Sequence, residues 1–210
     1  MSTLTERTWI DYLFRPFVYV AGGKALGLGV VVIALTGLLG SIGSTHLDGV
    51  LDLHSGASAP LWLFPVEGLA DWLCLALVLL VFGKIISQTA FRVVDVLGTQ
   101  ALARWPSLVM VLITLPPAFL RYSQALVHQI QTNPMQLPPI SADAIYFFAA
   151  TLLVFPFLIW QVVLMYQAFA ISCNVRGAKA IVTFFVGLVA AEILSKFVIV
   201  TLWHAALPHA

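Results

Sequence analysis

Five long apolar runs dominate this chain, and each has the length that a bilayer imposes on a helix. They cover about Ala25 to Gly43, Leu69 to Ile86, Pro106 to Val127, Ala144 to Ile171 and Ala178 to Trp203. At about 1.5 Å per residue, roughly twenty residues cross the roughly 30 Å of hydrocarbon, so each run reads as one transmembrane helix. Backbone polar groups find no water at that depth, which requires the spans to be helical. The fold class is therefore all-α, a polytopic five-helix membrane bundle. Only 9% of the 210 residues are charged and 61% are apolar, too little polar surface for a soluble domain, where about a quarter is charged. Residues 1–24 are expected to form an amphipathic cytoplasmic segment and 25–206 the membrane domain.

Orientation follows from the basic residues, which are held on the cytoplasmic side of a span. Arg7, Arg15 and Lys24 precede the first run; Lys84, Arg92 and Arg104 lie between the second and third; Arg176 and Lys179 lie between the fourth and fifth. The segments Ser44 to Ala70 and Tyr122 to Tyr146, and the tail after Lys196, carry neither Lys nor Arg. This alternation puts the N-terminus in the cytoplasm and the C-terminus outside. Arg121 is the exception, read as a side chain snorkelling from the outer end of the third span. Trp72 and Trp203 read as outer interfacial anchors and Trp105 as an inner one. Pro116-Pro117 removes two backbone donors and should kink or end the third span, and Pro156 should bend the fourth. Gly27, Gly29, Gly37 and Gly40 suit close helix packing in the first.

Two regions outside the spans carry candidate chemistry. In the outer loop, His46, Asp48, Asp52 and His54 are good ligands for a divalent metal, and an extended backbone places all four on one face. The plainer reading is an interfacial helix with Leu47, Val50 and Leu51 toward the membrane. After the second span, polar Lys84, Gln88, Arg92 and Asp95 recur at helical spacing opposite Ile86, Ala90, Val93 and Leu97. The second helix is expected to continue as an amphipathic cytoplasmic helix to Gly98, with a face that lies on headgroups or meets a partner.

Inside the bilayer the ionisable residues stand out. Glu192 and Lys196 are one turn apart in the fifth span and are expected to pair, with Gln161 and Asp71 as groups that could join them. They read either as a structural pair or as part of a proton or ion path. Cys74 and Cys173 read as small buried side chains at opposite faces of the membrane. No nucleophile arrangement, phosphate-binding glycine loop or H-E-x-x-H motif is present, so enzymatic activity and a cofactor are not expected. A net charge of +1 argues against a nucleic-acid partner.

The stretch from Val96 through Leu97-Gly98-Thr99 to Arg104-Trp105-Pro106-Ser107-Leu108 resembles the turn into the third helix of the Yip-domain family, multi-span proteins named for interacting with Ypt/Rab GTPases. Trp160 to Lys179, leaving through Ala170-Ile171-Ser172-Cys173-Asn174 into Arg176-Gly177-Ala178-Lys179, is similar to the fourth-to-fifth helix connection of its bacterial members. The resemblance implies a five-helix domain with a cytoplasmic N-terminus and no enzymatic chemistry. The long N-terminal region and Asp-Leu-Tyr-Gly-Pro-like motif of eukaryotic members are missing, and Thr99 stands where an aromatic is common, so GTPase binding does not carry over. The leading expectation is a non-enzymatic scaffold or adaptor of the plasma membrane, partnered by the bilayer and by itself or another membrane protein. The alternative is a small transporter or channel subunit using Glu192 and Lys196.

Overall fold

Close approach of helix backbones organises the bundle. The computed structural model describes residues 9–206 apart from Ala57 and Leu137; Glu6 and Arg7 of the N-terminal segment lie outside the described residues. A short helix α1 (Trp9–Phe14) and a 3-10 turn at Pro16–Val18 lead into α2 (Gly22–Gly43). A hairpin of two-residue strands comes next, β1 (Thr45–His46) and β2 (His54–Ser55), with Thr45 opposite Ser55 and His46 opposite His54. The remaining helices are α3 (Leu63–Ile86), α4 (Val93–Leu102), α5 (Trp105–Thr114), α6 (Pro117–Thr132), α7 (Ala142–Ser172) and α8 (Gly177–Ala206). Among the described residues, five helical stretches are long and apolar enough to cross a membrane: 22–43, 63–86, 93–114 (α4 with α5), 142–172 and 177–206. The chain is thus the all-α five-span bundle expected. Lys24, Lys84, Arg92, Arg176 and Lys179 gather at one set of helix ends, the inner ends, because basic residues mark the cytoplasmic side.

Small residues decide which helices touch. A side chain on Gly29 of α2 would collide with the Ala101 backbone, and one on Gly98 of α4 would collide with the Gly22 carbonyl and lie 2.8 Å from the Leu26 nitrogen. Gly37 is pressed in the same way against Pro65 of α3, whereas Gly27 faces open space and takes no part in packing. Close backbone contact of this kind supplies the dispersion that holds membrane helices together, where lipid offers no hydrophobic drive. The main core lies where α3, α7 and α8 converge, around Leu75, Leu79, Leu164, Phe169, Phe184 and Leu188. Although consecutive, α7 and α8 scarcely meet beyond the rings of Tyr166, Phe169 and Phe184 near their inner connection. Toward the outer end the hairpin lies between them, its tip residue Val50 buried in the same core.

The third span differs from expectation. It runs from Val93 to Thr114 instead of Pro106 to Val127, and α3 ends at Ile86 instead of continuing to Gly98. Ser87 turns to extended backbone, and α4 enters the bundle as half of a span. Its polar residues are tolerated because they are enclosed: this span is 61% buried, the most of the five. Thr99 meets Ser172 Oγ at 2.8 Å, and Gln100 donates to the Met165 carbonyl at 2.9 Å. Gly98 is therefore a packing residue within a helix and not a stop. The span does end before Pro116-Pro117, as those residues require. Beyond the break, the chain forms the separate helix α6, where Arg121, Gln124 and His128 make one face polar. Trp72 is buried, donating Nε1 to the Leu97 carbonyl at 3.0 Å, so it is no interfacial anchor. α7 continues as helix through Pro156.

Candidate functional site

The outer loop is neither an interfacial helix nor a metal site with four converging ligands. It re-enters the bundle. His46 is fully buried with Nδ1 3.0 Å from Glu67 Oε2 on α3, and its ring lies on Phe64 with centroids 4.3 Å apart. Trp203 of α8 donates Nε1 to the same carboxylate at 2.9 Å. Across the ladder His54 turns to Asp48, its Nδ1 3.0 Å from Oδ1. Asp48, Asp52 and His54 have ligand atoms within 4.8 Å of one another, a set that could hold a cation, but Lys196 already lies against both carboxylates. Its Nζ is 3.5 Å from Asp48 Oδ1 and bonded to Asp52 Oδ2. A cation there would compete with the Lys196 ammonium for both carboxylates, and His46 is engaged with Glu67 instead.

Charge around the hairpin sets its titration. The hydrogen bond to Asp48 raises the His54 pKa above its ordinary value against the opposing pull of burial, with help from the charges of Asp48, Asp52 and Glu67. Burial pushes the Asp48 carboxyl up, but the His54 hydrogen bond and the His54 and Lys196 charges outweigh it, leaving Asp48 below the usual range.

Glu192 and Lys196 do not form the pair expected of them. The Leu51 backbone N–H donates to Glu192 Oε2 at 3.0 Å, so the carboxylate near the middle of α8 caps the hairpin tip. A side chain at Gly49 would run into the other carboxylate oxygen. Lys196, one turn outward, faces the loop carboxylates instead. A loop backbone at membrane depth is tolerated because protein groups, not lipid, satisfy its N–H groups.

Inside the bundle lie four buried polar side chains: Asp71 of α3, Gln100 of α4, Arg104 at the α4–α5 junction and Gln161 of α7. Both Asp71 carboxylate oxygens, Arg104 Nε and Nη2, and the Oε1 atoms of Gln100 and Gln161 have no hydrogen-bond partner among the described residues. Arg104 follows Gln100 by about one turn at the end of α4, as Met165 follows Gln161 on the antiparallel α7. The Gln100 to Met165 bond therefore sets Arg104 and Gln161 at a similar depth. Asp71 and Arg104 feel each other's charge, and Glu192 acts on both, yet no ion-pair contact joins Asp71 to Arg104. Sequence reasoning identifies Asp71 and Gln161 but takes Arg104 for a cytoplasmic loop residue and misses Gln100 and Glu67. Two i,i+4 spacings, Glu67 with Asp71 and Gln100 with Arg104, are the available signal.

The remaining candidates separate. Lys84 ends α3, Gln88 lies in the turn after it, Arg92 precedes α4 and Asp95 sits in its first turn, so they form no single helical face. Arg121 is on α6, where Nε and Nη2 donate to Asp143 at 2.7 and 2.8 Å and tie α6 to the start of α7. Cys74 and Cys173 are free and buried. No family model, curated protein or solved structure matches the chain.

Proposed function

We propose that this chain is a small, non-enzymatic membrane transport protein, closed at its outer mouth by the re-entrant hairpin, with Asp71 and Arg104 as the charged groups of a polar path. The observation that carries this reading is the Asp71 carboxylate, fully buried with no charged group in contact and only the Ser195 hydroxyl of α8 close by, within reach of the Arg104 charge but not touching it. A pair retained only for structure gains its stability from contact, because desolvation of each ion otherwise goes unmatched. Ionisable groups at membrane depth mark ion and proton pathways. Asp48, Lys196, Glu192, Asp71 and Arg104 lie close enough to act on one another's charge, a chain of ionisable groups of the kind a path for protons or small ions requires. The adaptor reading is weakened, because the helical face that would carry it is divided between two helices and a turn.

The test is proton flux into liposomes containing the full chain and a pH-sensitive dye, driven by a potassium diffusion potential. Flux above protein-free liposomes, abolished in Asp71→Asn with thermal stability kept, is the expected result. No flux in the parent, together with an Asp71→Leu/Arg104→Met variant less stable than the parent, would assign the two groups to structure alone.

A second reading is the Yip-type membrane scaffold or adaptor that the sequence resemblance implies. It is favoured by α7, of which only 17% is buried within the bundle over its most apolar window, leaving a long apolar face for a second membrane protein or another copy. Stable co-purification of one partner from native membranes, lost on placing Trp at Ala149, distinguishes it.

A further inference from the structure

At the inner end, two cavities of opposite character adjoin. The first, about 270 Å³, is lined by Ile86, Gln88, Thr89, Asn174, Arg176 and Lys179, among others. It lies between the turn after α3 and the turn before α8, which are pinned together where Asn174 Nδ2 donates to Thr89 Oγ1 at 3.1 Å. Arg176 and Lys179 are exposed, and neither joins an ion pair among the described residues. The second cavity, about 240 Å³, is lined by Phe82, Ile85, Ile86, Val182, Thr183 and Val186. Ile86 belongs to both.

The two are stacked along the α3–α8 pair in a fixed order. Ile86 and Lys179 stand at the helix ends, while Phe82, Val182 and Val186 lie one to two turns deeper, toward the hydrocarbon. The polar cavity is thus at headgroup level and the apolar one at acyl-chain level, the order of polarity within one phospholipid. Two cations without an ion pair among the described residues give the polar cavity a preference for negative charge, and basic pockets between spans on the cytoplasmic side bind anionic headgroups. Lys179 and Ala180 in the first turn of α8 form part of the same wall. An inorganic anion would use only the first cavity; a lipid uses both.

We propose that this composite groove is a binding site for one anionic glycerophospholipid of the inner leaflet, with the phosphate at Arg176 and Lys179 and an acyl chain between Phe82 and Val186. The site is independent of the transport reading, sharing no residue with the Asp71–Arg104 cluster.

Native mass spectrometry of the full chain in mild detergent, titrated with dioctanoyl phosphatidylglycerol, tests it. The parent is expected to retain one lipid more tightly than dioctanoyl phosphatidylcholine, and millimolar inorganic phosphate is expected not to compete. Arg176→Gln/Lys179→Gln should weaken phosphatidylglycerol by about 30-fold, at a few-fold per basic residue. Val186→Trp, which fills the apolar groove and keeps both charges, should also weaken it. Arg121→Gln, removing a charge at the outer end, should change nothing. Thermal unfolding of each variant confirms that the fold is retained. Equal binding of the two lipids, full retention by the charge variant, or displacement by phosphate that persists in Val186→Trp would overturn the assignment.

Discussion

The carboxylate of Glu192 accepts the backbone N–H of Leu51 at 3.0 Å, so a side chain near the middle of the last helix holds the tip of a loop that enters from outside. The arrangement of the outer mouth depends on that anchor. With Leu51 held, Asp48 and Asp52 come within range of Lys196, and Val50 enters the core beside α7 and α8.

Removing the anchor should release the hairpin. Glu192→Leu leaves the Leu51 N–H buried without a partner, at a cost of about 1–3 kcal/mol, whereas Glu192→Gln keeps an acceptor oxygen and should cost less. Gly49→Val should act like Glu192→Leu, since its side chain displaces the carboxylate. Thermal unfolding in detergent, with hydrogen exchange over residues 44–56, gives the ranking. Equal protection in all three variants would show that the hairpin does not depend on this contact.

The partners of Lys196 predict a specific pattern of rescue. Lys196→Met leaves Asp48 and Asp52 facing each other without a cation, and adding Asp52→Asn should recover the loss. Adding Glu192→Gln should not, since Glu192 is committed to Leu51. Lys196 and Asp52 are 39% and 45% exposed, so the effect is expected at about 1 kcal/mol or less. A rescue by Glu192→Gln and none by Asp52→Asn would restore the Glu192–Lys196 pairing.

Stability of the hairpin should depend on pH with two limbs. The folded pKa of His54 is raised from 6.5, so its contribution is full below that value and is lost as pH rises through the folded pKa. That of Asp48 is lowered from 3.8, so its contribution is full above that value and is lost as pH falls through the folded pKa. Protection of residues 44–56 is therefore greatest between about pH 4 and 6.5. Asp48→Asn should flatten the alkaline limb. A parent whose exchange, corrected for intrinsic rate, is unchanged from pH 6 to 8 contradicts the His54 assignment.

The revised third span is testable by labelling. A cysteine at Ala125, exposed on α6, should react with an impermeant thiol reagent added outside intact cells, while one at Thr99, buried between α4 and α7, should not. Protection of Ala125 together with labelling of the cysteine at Thr99 from the inner side would put the span back near Pro106 to Val127.

The number of crossings, their helical character, the clustering of basic residues at one end and the break at Pro116-Pro117 were legible in the sequence. Each depends on a local property: the length of an apolar run, the loss of a donor, the charge of a flank. What the tertiary structure alone decided is which polar segments are enclosed. The segment from Lys84 to Gly98 reads as an amphipathic surface helix until Gly98, with Ala101 beyond it, is seen against Gly22 and Gly29; burial then rests on neighbouring backbones that are remote in sequence. In the same way, Glu192 and Lys196 are a turn apart and invite pairing, but the hairpin brings Leu51, Asp48 and Asp52 to them first. Asp71 and Arg104 are separate residues in separate segments. Only the convergence of α3, α4 and α8 makes them one buried site, because electrostatic neighbours in a membrane are set by helix packing and not by spacing along the chain.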